Sequence, residues 1–179
     1  MTYYGAKQLA DSFRTVRKNT LAIAEEIPED KYSFRVTPDV MSVGEMLAHL
    51  AVSPMWQIDL HTAKVSQLDF PMFAARLQQA QAEQQALRTK AEIVAALQQN
   101  GARFATFLES LDAETLASEV TFPPPVQPPA KSRFEMLLGP KEHEMHHRGQ
   151  LMLMQRMIGQ VPHLTRARQQ MQAQAPARH

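Results

Sequence analysis

The chain of 179 residues contains no cysteine and carries a formal net charge of +1. A chain of this length fits a single domain and can bury a sizeable core without disulfides. Its nearly balanced charge, with no run of Lys or Arg, offers no basic surface to a nucleic-acid backbone. The lack of cysteine excludes a disulfide framework, a thiolate metal site and a cysteine nucleophile. Any metal must therefore be held by histidines or carboxylates.

The N-terminal residues, 1–10, lack the basic and then apolar pattern of a secretory signal. No stretch of the sequence approaches the roughly 20 apolar residues that cross a bilayer. We therefore expect a soluble cytoplasmic protein that binds neither a membrane nor nucleic acid.

The first half of the chain predicts two long helices. Apolar residues recur at the helical period over residues 6–27, and a surface connection with two prolines follows over residues 28–41. Ser42 and Glu45 have the spacing of a capping box, in which each side chain satisfies a free backbone N–H of the other. This pair predicts the start of the second helix, which extends to about His61.

The middle of the chain is less regular. Pro54 lies inside the second helical pattern, and we expect it to kink this helix rather than end it, because the apolar period continues beyond it. Residues 65–88 are rich in Gln and Ala with few core anchors, so they predict a connecting segment that is only partly helical. Thr89 and Glu92 form a second capping box and predict a third helix that ends near Leu111.

The last part of the chain combines a proline-rich strap with a fourth helix. Five prolines within residues 121–130 predict an extended, polyproline-like crossover. Ser132 and Glu135 form a third capping box, and the helix they open is predicted to end near Ile158. The polar residues 164–179 predict a mobile tail.

Four long amphipathic helices, some joined by long connections, predict an all-α fold, a four-helix bundle. We assign residues 1–163 to this single domain and residues 164–179 to the tail. The interior of such a bundle offers facing helical positions for metal or cofactor ligands. Bundles with exposed helix faces commonly pair about a two-fold axis, so a homodimer is among the expectations.

The most informative stretch is KEHEMHHRGQ, residues 141–150. His143 and His147 are four residues apart on a predicted helix, so they share one face, and this face also carries the apolar residues of the helix. Two buried imidazoles need polar partners, which one metal ion provides for both. His49 lies on the inward face of the second helix and supplies a third nitrogen. Three protein ligands leave a coordination position for water or substrate, as in catalytic metal sites.

Simpler explanations exist for each histidine. A lone histidine such as His49 is more often a core residue satisfied by a hydrogen bond than a metal ligand. His143 and His146 form an alternative pair three residues apart, which the apolar stripe disfavours, and we place His146 beside the site or facing solvent. The remaining histidines fall at element ends or in the tail, where we expect no metal role: His61, His163 and His179.

Two motifs carry a resemblance to a known family. GEMLAHLA on the second helix, and HEMHHRGQL on the last helix followed by MIG and a proline, resemble the DinB family, damage-inducible-type proteins related to bacterial thiol-dependent transferases. The resemblance covers residues 6–162, and the H-x-x-x-H-R-G-Q string is its most specific part. It implies a four-helix bundle with a divalent metal held by His49, His143 and His147. Pro140, just before the ligand pair, departs from the family pattern and is expected to alter the depth of the site.

The resemblance also implies an activity. Characterised members of the family transfer or isomerise substrates with a low-molecular-weight thiol, and a metal with an open position can ionise such a thiol. We therefore expect zinc, nickel, iron or manganese, a low-molecular-weight thiol as cofactor and a small-molecule substrate. The predicted function is that of a metal-dependent thiol S-transferase or hydrolase. One alternative is a non-catalytic bundle that binds metal or a small ligand in a stress response, and another is a bundle with no metal, in which backbone or water satisfies the histidines.

The catalytic residues themselves are not identified by the sequence. Arg148 and Gln150 are candidates for orienting the ligands or binding an anionic thiol, although a solvated helix face explains them equally well. Glu142 and Glu144 flank the histidines but lie off their arc, so neither is predicted to act as a general base.

Overall fold

The computed structural model describes residues 4–174, which are predominantly helical. A short 3-10 helix, Glu29–Lys31, follows the first helix, and two short strands, β1 (Glu119–Thr121) and β2 (Ala130–Ser132), pair antiparallel. In chain order the α-helices are α1 (Ala6–Glu26), α2 (Val43–Val52), α3 (Met55–Thr62), α4 (Phe70–Ala86), α5 (Lys90–Glu109), α6 (Ala113–Ala117), α7 (Arg133–Met157) and α8 (His163–Gln174).

Helices α1, α2, α5 and α7 form the bundle. α1 packs along α5 and α7, and α2 packs between α5 and α7 with α4 on its outer side. Large apolar side chains fill the bundle interior, with Leu47, Leu97 and Leu151 in one layer and Phe13 and Phe104 in another. The prediction of an all-α four-helix bundle is confirmed.

All three predicted capping boxes are formed. Each serine or threonine accepts the backbone N–H of the glutamate three residues later, and that glutamate accepts the backbone N–H of its partner. These pairs satisfy backbone donors that a helix start leaves free, and they fix where α2, α5 and α7 begin.

Pro54 divides the second predicted helix, where only a kink was expected. α2 ends at Val52 and α3 begins at Met55, although Ser53 and Pro54 keep right-handed helical backbone angles. Proline cannot donate to the carbonyl four residues earlier, which belongs to Leu50. That carbonyl accepts instead from Arg17 Nη2 at 2.9 Å. The break therefore provides a backbone acceptor for a buried arginine.

Residues 65–88 are more ordered than the sequence predicted. They contain the whole of α4, which Asp69 caps by accepting the backbone N–H of Met72 at 2.7 Å. No residue of α4 is buried, because this helix lies outside the bundle core against α2. The helix was not predicted in full because the Gln/Ala-rich sequence contains few large apolar residues from which a helical period could be recognised.

Two other regions differ in detail from the predictions. The proline-rich strap was predicted to be an extended crossover, but it reverses direction. Its ends pair antiparallel as β1 and β2, with Val120 opposite Lys131, and a turn over residues 123–126 lies between them. Residues 163–174 form α8 instead of a mobile tail, and Arg166 makes a salt bridge to Glu26 of α1. The end of the predicted tail, residues 175–179 with His179, lies outside the described residues. Within residues 4–174 no helix combines the length and the apolar character needed to cross a bilayer.

Candidate metal site

Three histidines from two facing helices meet inside the bundle. His49 projects from the last turn of α2, while His143 and His147 project from successive turns of α7. His143 Nε2 lies 3.0 Å from His49 Nε2 and 3.1 Å from His147 Nε2. One ring nitrogen from each residue falls within a group no wider than 4.8 Å. The structure thus brings together the three residues that the spacing selected.

The hydrogen-bonding capacity of these nitrogens fits a bound cation. His147 Nδ1 lies 2.6 Å from Gln150 Oε1, and because an amide oxygen only accepts, Nδ1 carries the proton and Nε2 presents a lone pair. His143 Nε2 has two nitrogen neighbours, but a neutral imidazole has only one N–H to share. Zinc–nitrogen bonds of about 2.0–2.1 Å place tetrahedral ligands about 3.3 Å apart. The two separations from His143 Nε2, 3.0 Å and 3.1 Å, are close to that value.

The surroundings favour the neutral imidazoles that a metal requires. Burial, together with charge repulsion from the neighbouring His147 and His49, lowers the pKa of His143 to about 4. Burial is also the main cause of the lowered pKa of His49 and of His147. All three rings are therefore uncharged at neutral pH, with lone pairs available for coordination.

The other residues predicted near the site have different positions. Gln150 contacts His147 directly, whereas the His146 side chain is exposed and its ring lies edge-on to His147 with centroids 5.0 Å apart. His146 is outside the convergent group, so the alternative pair of His143 and His146 is not the one that the fold assembles. Arg148 is half-buried and forms no hydrogen bond to the three histidines within residues 4–174.

Two neighbours of the three histidines were not predicted from the sequence. Gln84 of α4 lines the same cavity as His49 and raises the pKa of that imidazole, so the outer helix lies over the site. Glu144 is fully buried beside His143 and forms a salt bridge with Arg17 Nη2 at 2.8 Å. A signal for the second contact exists in the sequence, since Arg17 lies on the same face of α1 as Phe13 and Thr20. No sequence pattern around Gln84 predicts its position near His49.

A cavity of about 360 Å³ adjoins the histidines. His49 and His143 form part of its wall, and helices α3, α4 and α7 supply the remainder. Most of the lining is apolar, with Trp56, Phe73 and Pro140 among the wall residues. The ring edges of Trp56 and Phe73 meet with centroids 6.4 Å apart. A small molecule in this cavity would lie against two of the three imidazoles.

Fold and site together define a class of protein, a helical bundle with three convergent imidazoles beside an apolar cavity. The sequence profile of the DinB superfamily matches residues 12–151, most of the chain, and the chain belongs to this superfamily. The resemblance noted in the two histidine motifs is therefore confirmed.

Comparison with solved structures supports the fold. The chain is similar to a DinB-like protein, YjoA, from Bacillus subtilis, with a TM-score of 0.65 and 23% sequence identity over 86% of this chain and 94% of that chain. At this identity the likeness concerns the fold alone. No curated protein sequence matches the chain.

Proposed function

We propose that this DinB-superfamily protein is a metal-dependent enzyme, a thiol S-transferase or hydrolase that acts on a small molecule. The observation that carries the proposal is the convergence of three imidazole Nε2 atoms at the wall of an apolar cavity. A structural site would be closed by a fourth protein ligand, whereas three ligands beside a cavity leave room for substrate. A divalent ion held there would act as a Lewis acid that lowers the pKa of a thiol or water.

The protein's own residues hold and orient the ligand set. Gln150 fixes the tautomer of His147, and Gln84 lies near His49 in the cavity wall, so one ring has a hydrogen-bond partner beyond the site and a second has a polar neighbour. Such outer contacts set ring orientation and ligand basicity in metal sites. The apolar walls of the cavity exclude water and strengthen electrostatic interactions inside it.

Metal content is the test of the site. Mass spectrometry of the purified wild type should find close to one zinc, nickel, iron or manganese ion per chain, and His49→Ala and His147→Ala should each lose it. His146→Ala is the matched control, since His146 is adjacent in sequence but outside the convergent group, and it should retain the metal. A wild type that stays empty after incubation with all four metals would overturn the proposal.

A second experiment separates catalysis from binding alone. The metal-loaded protein is assayed with a low-molecular-weight thiol plus 1-chloro-2,4-dinitrobenzene, and separately with p-nitrophenyl acetate. Turnover that disappears in His147→Ala but persists in His146→Ala supports the enzyme. Stoichiometric metal without turnover in a wide range of such assays supports the non-catalytic metal-binding bundle instead.

A further inference from the structure

A chain of three buried polar residues leads from the start of α7 to the cavity. Arg133 Nη1 lies 2.7 Å from His61 Nδ1, and His61 Nε2 lies 2.9 Å from Gln57 Oε1. Arg133, His61 and Gln57 are 4%, 3% and 5% exposed. Gln57 also belongs to the wall of the cavity beside the candidate metal site. None of these residues is in the three-histidine group.

The direction of every hydrogen bond in this chain follows from what each group can do. A guanidinium only donates, so His61 Nδ1 must accept from Arg133. The proton of neutral His61 is then on Nε2, which donates to Gln57 Oε1. Burial first, and then the charge of Arg133, lower the pKa of His61 to about 4, so the ring is neutral at physiological pH. The amide of Gln57 is thereby locked with its oxygen toward His61.

The locked orientation leaves the NH₂ group of Gln57 as the donor at the cavity. Within residues 4–174 this nitrogen donates to no protein acceptor, but it is not fully enclosed, unlike the unpartnered side-chain atoms of Gln155, Gln160 and His163. Because Gln57 lines the cavity, an acceptor atom on a ligand there can replace the water that this N–H otherwise binds.

We propose that Gln57 is a specificity-determining residue whose amide N–H binds the acceptor oxygen of an uncharged, mainly apolar substrate in this cavity. The inference rests on the proposed function for the site beside it, because the same molecule would face His49 and His143. A carbonyl compound with an aromatic or aliphatic body fits the lining, which offers the rings of Trp56 and Phe73.

The charge at the rim argues against an anionic ligand as the preferred occupant. Arg76 is the cation of the cavity lining, and it makes a 2.9 Å salt bridge to Asp59. Both side chains are more than one-third exposed. A carboxylate ligand would have to compete with Asp59 for Arg76, whereas a neutral carbonyl needs only the amide N–H of Gln57.

The test uses two probes of nearly the same shape, acetophenone and α-methylstyrene, which differ by a carbonyl oxygen in place of a methylene. Binding to the metal-loaded protein is followed by NMR through the indole N–H of Trp56, the only tryptophan of the chain, which lies in the cavity wall. The ratio of the two dissociation constants is compared between protein variants, so that the different hydrophobicities of the probes cancel.

Gln57→Met removes the donor with little change in volume, and Gln57→Glu keeps an acceptor for His61 while replacing the NH₂ by a carboxylate oxygen. We expect the ratio to move against acetophenone by about 3- to 10-fold in Gln57→Met, as for the loss of one neutral hydrogen bond, and further in Gln57→Glu. An unchanged ratio in both folded variants would overturn the proposal. In the wild type, the side-chain amide resonance of Gln57 should shift with acetophenone and not with α-methylstyrene, and this holds as a test even if the variants fail to fold.

A matched pair of glycine variants on α7 locates the binding event. Gly139 lines the cavity and Gly149 does not, and beyond the two chain neighbours a Cβ at either position meets no atom within 4 Å. Gly139→Leu should abolish binding of both probes, whereas Gly149→Leu should leave it unchanged. Binding that survives Gly139→Leu would contradict the assigned cavity.

Failure of the inference and failure of the proposed function give different results. Gln57→Met keeps all three histidines, so a ketone preference caused by the metal would persist in this variant. Normal metal content with an unchanged probe ratio rejects the role of Gln57 alone. An empty metal site with a Gln57-dependent ratio rejects the metal enzyme alone.

Discussion

Adjacent residues on α7 belong to two polar clusters that are satisfied in different ways. Glu144 accepts from Arg17 Nε at 2.9 Å and 3.0 Å and from Nη2 at 2.8 Å. Arg17 also donates to the backbone carbonyls of Leu50 and Leu97, so every charge in this cluster has its partners inside the protein. His143, the residue just before Glu144 on α7, has only other imidazole nitrogens around its Nε2.

The difference separates a polar cluster with its partners inside the protein from one that could hold a metal ion. The Arg17 cluster joins α1, α2, α5 and α7, and four of the five N–H groups of the guanidinium donate within it. The histidine cluster adjoins a cavity, and among the described residues its Nε2 atoms have only one another as hydrogen-bond partners. Removing a residue from the first cluster should affect stability, and removing one from the second should affect binding.

The largest expected effect is on stability, for a substitution in the Arg17 cluster. Arg17→Met leaves Glu144 as an uncompensated buried charge, so we expect the free energy of unfolding to fall by about 3–5 kcal/mol. Urea denaturation measures it. The double variant Arg17→Met with Glu144→Leu removes both charges and should recover most of that loss.

An exposed ion pair on the same helix is the matched control. Arg14 pairs with Glu109 at 2.5 Å, and both side chains are about two-fifths exposed. Glu109→Gln should therefore lower the free energy of unfolding far less than Arg17→Met does. Equal losses at the two sites would mean that burial does not distinguish the clusters as described.

Metal addition is the corresponding experiment for the histidine cluster. If zinc binds the folded chain alone, a free concentration 100 times the dissociation constant raises the free energy of unfolding by about 2.7 kcal/mol. Thermal unfolding with zinc and with EDTA measures the difference. His147→Ala should show none of it, whereas His146→Ala should show all of it. An equal zinc effect in the two variants would place the bound ion elsewhere.

Acidification tests a third buried group, His61. Its folded-state pKa of about 4 is below the unfolded value of about 6.5, so the unfolded chain binds more protons between these values. Stability is thus complete above pH 6.5 and is lost as the pH falls toward 4. Between pH 7 and pH 5 the loss due to His61 is about 2 kcal/mol.

The variant His61→Gln isolates this contribution, because the other lowered histidines remain and act equally in both proteins. Urea denaturation with EDTA at several pH values should give a smaller loss for His61→Gln than for the wild type. Parallel pH profiles would show that His61 titrates alike in the folded and unfolded states.

Local signals made much of this fold predictable. Capping boxes at Ser42, Thr89 and Ser132 each require only four consecutive residues, and they placed three helix starts. His143 and His147 are four residues apart, so any helix places them on one face, and the position of His49 on the inward face of α2 identified it as the third ligand. Each of these inferences depends on residues within one element.

Features that depend on distant contacts were not predictable in the same way. Arg17 and Glu144 are separated by 127 residues, and only the fold shows that they meet. The pairing of β1 with β2 depends on hydrogen bonds between strand backbones, which side-chain periodicity over three residues does not reveal. Gln84 lies near His49 in the cavity wall and belongs to α4, a helix with no buried residue to mark its inner face.

The smallest expected effects come from two glycines that border the two clusters. Gly101 of α5 packs on the stem of Arg17, and a Cβ there would lie 2.9 Å from Arg17 Cγ, whereas a Cβ at Gly149, between His147 and Gln150, meets no atom within 4 Å beyond its chain neighbours. Gly149→Ala should therefore raise the free energy of unfolding by about 1 kcal/mol through helix propensity alone. At Gly101 the same gain is opposed by an overpacking cost of about 1–3 kcal/mol, because hydrogen bonds to Glu144 and two carbonyls hold Arg17 in place. Urea denaturation should thus give opposite signs, a gain for Gly149→Ala and a net loss of about 1 kcal/mol for Gly101→Ala. A gain at both positions would mean that Arg17 can shift, and the cluster would then be less rigid than its hydrogen bonds imply.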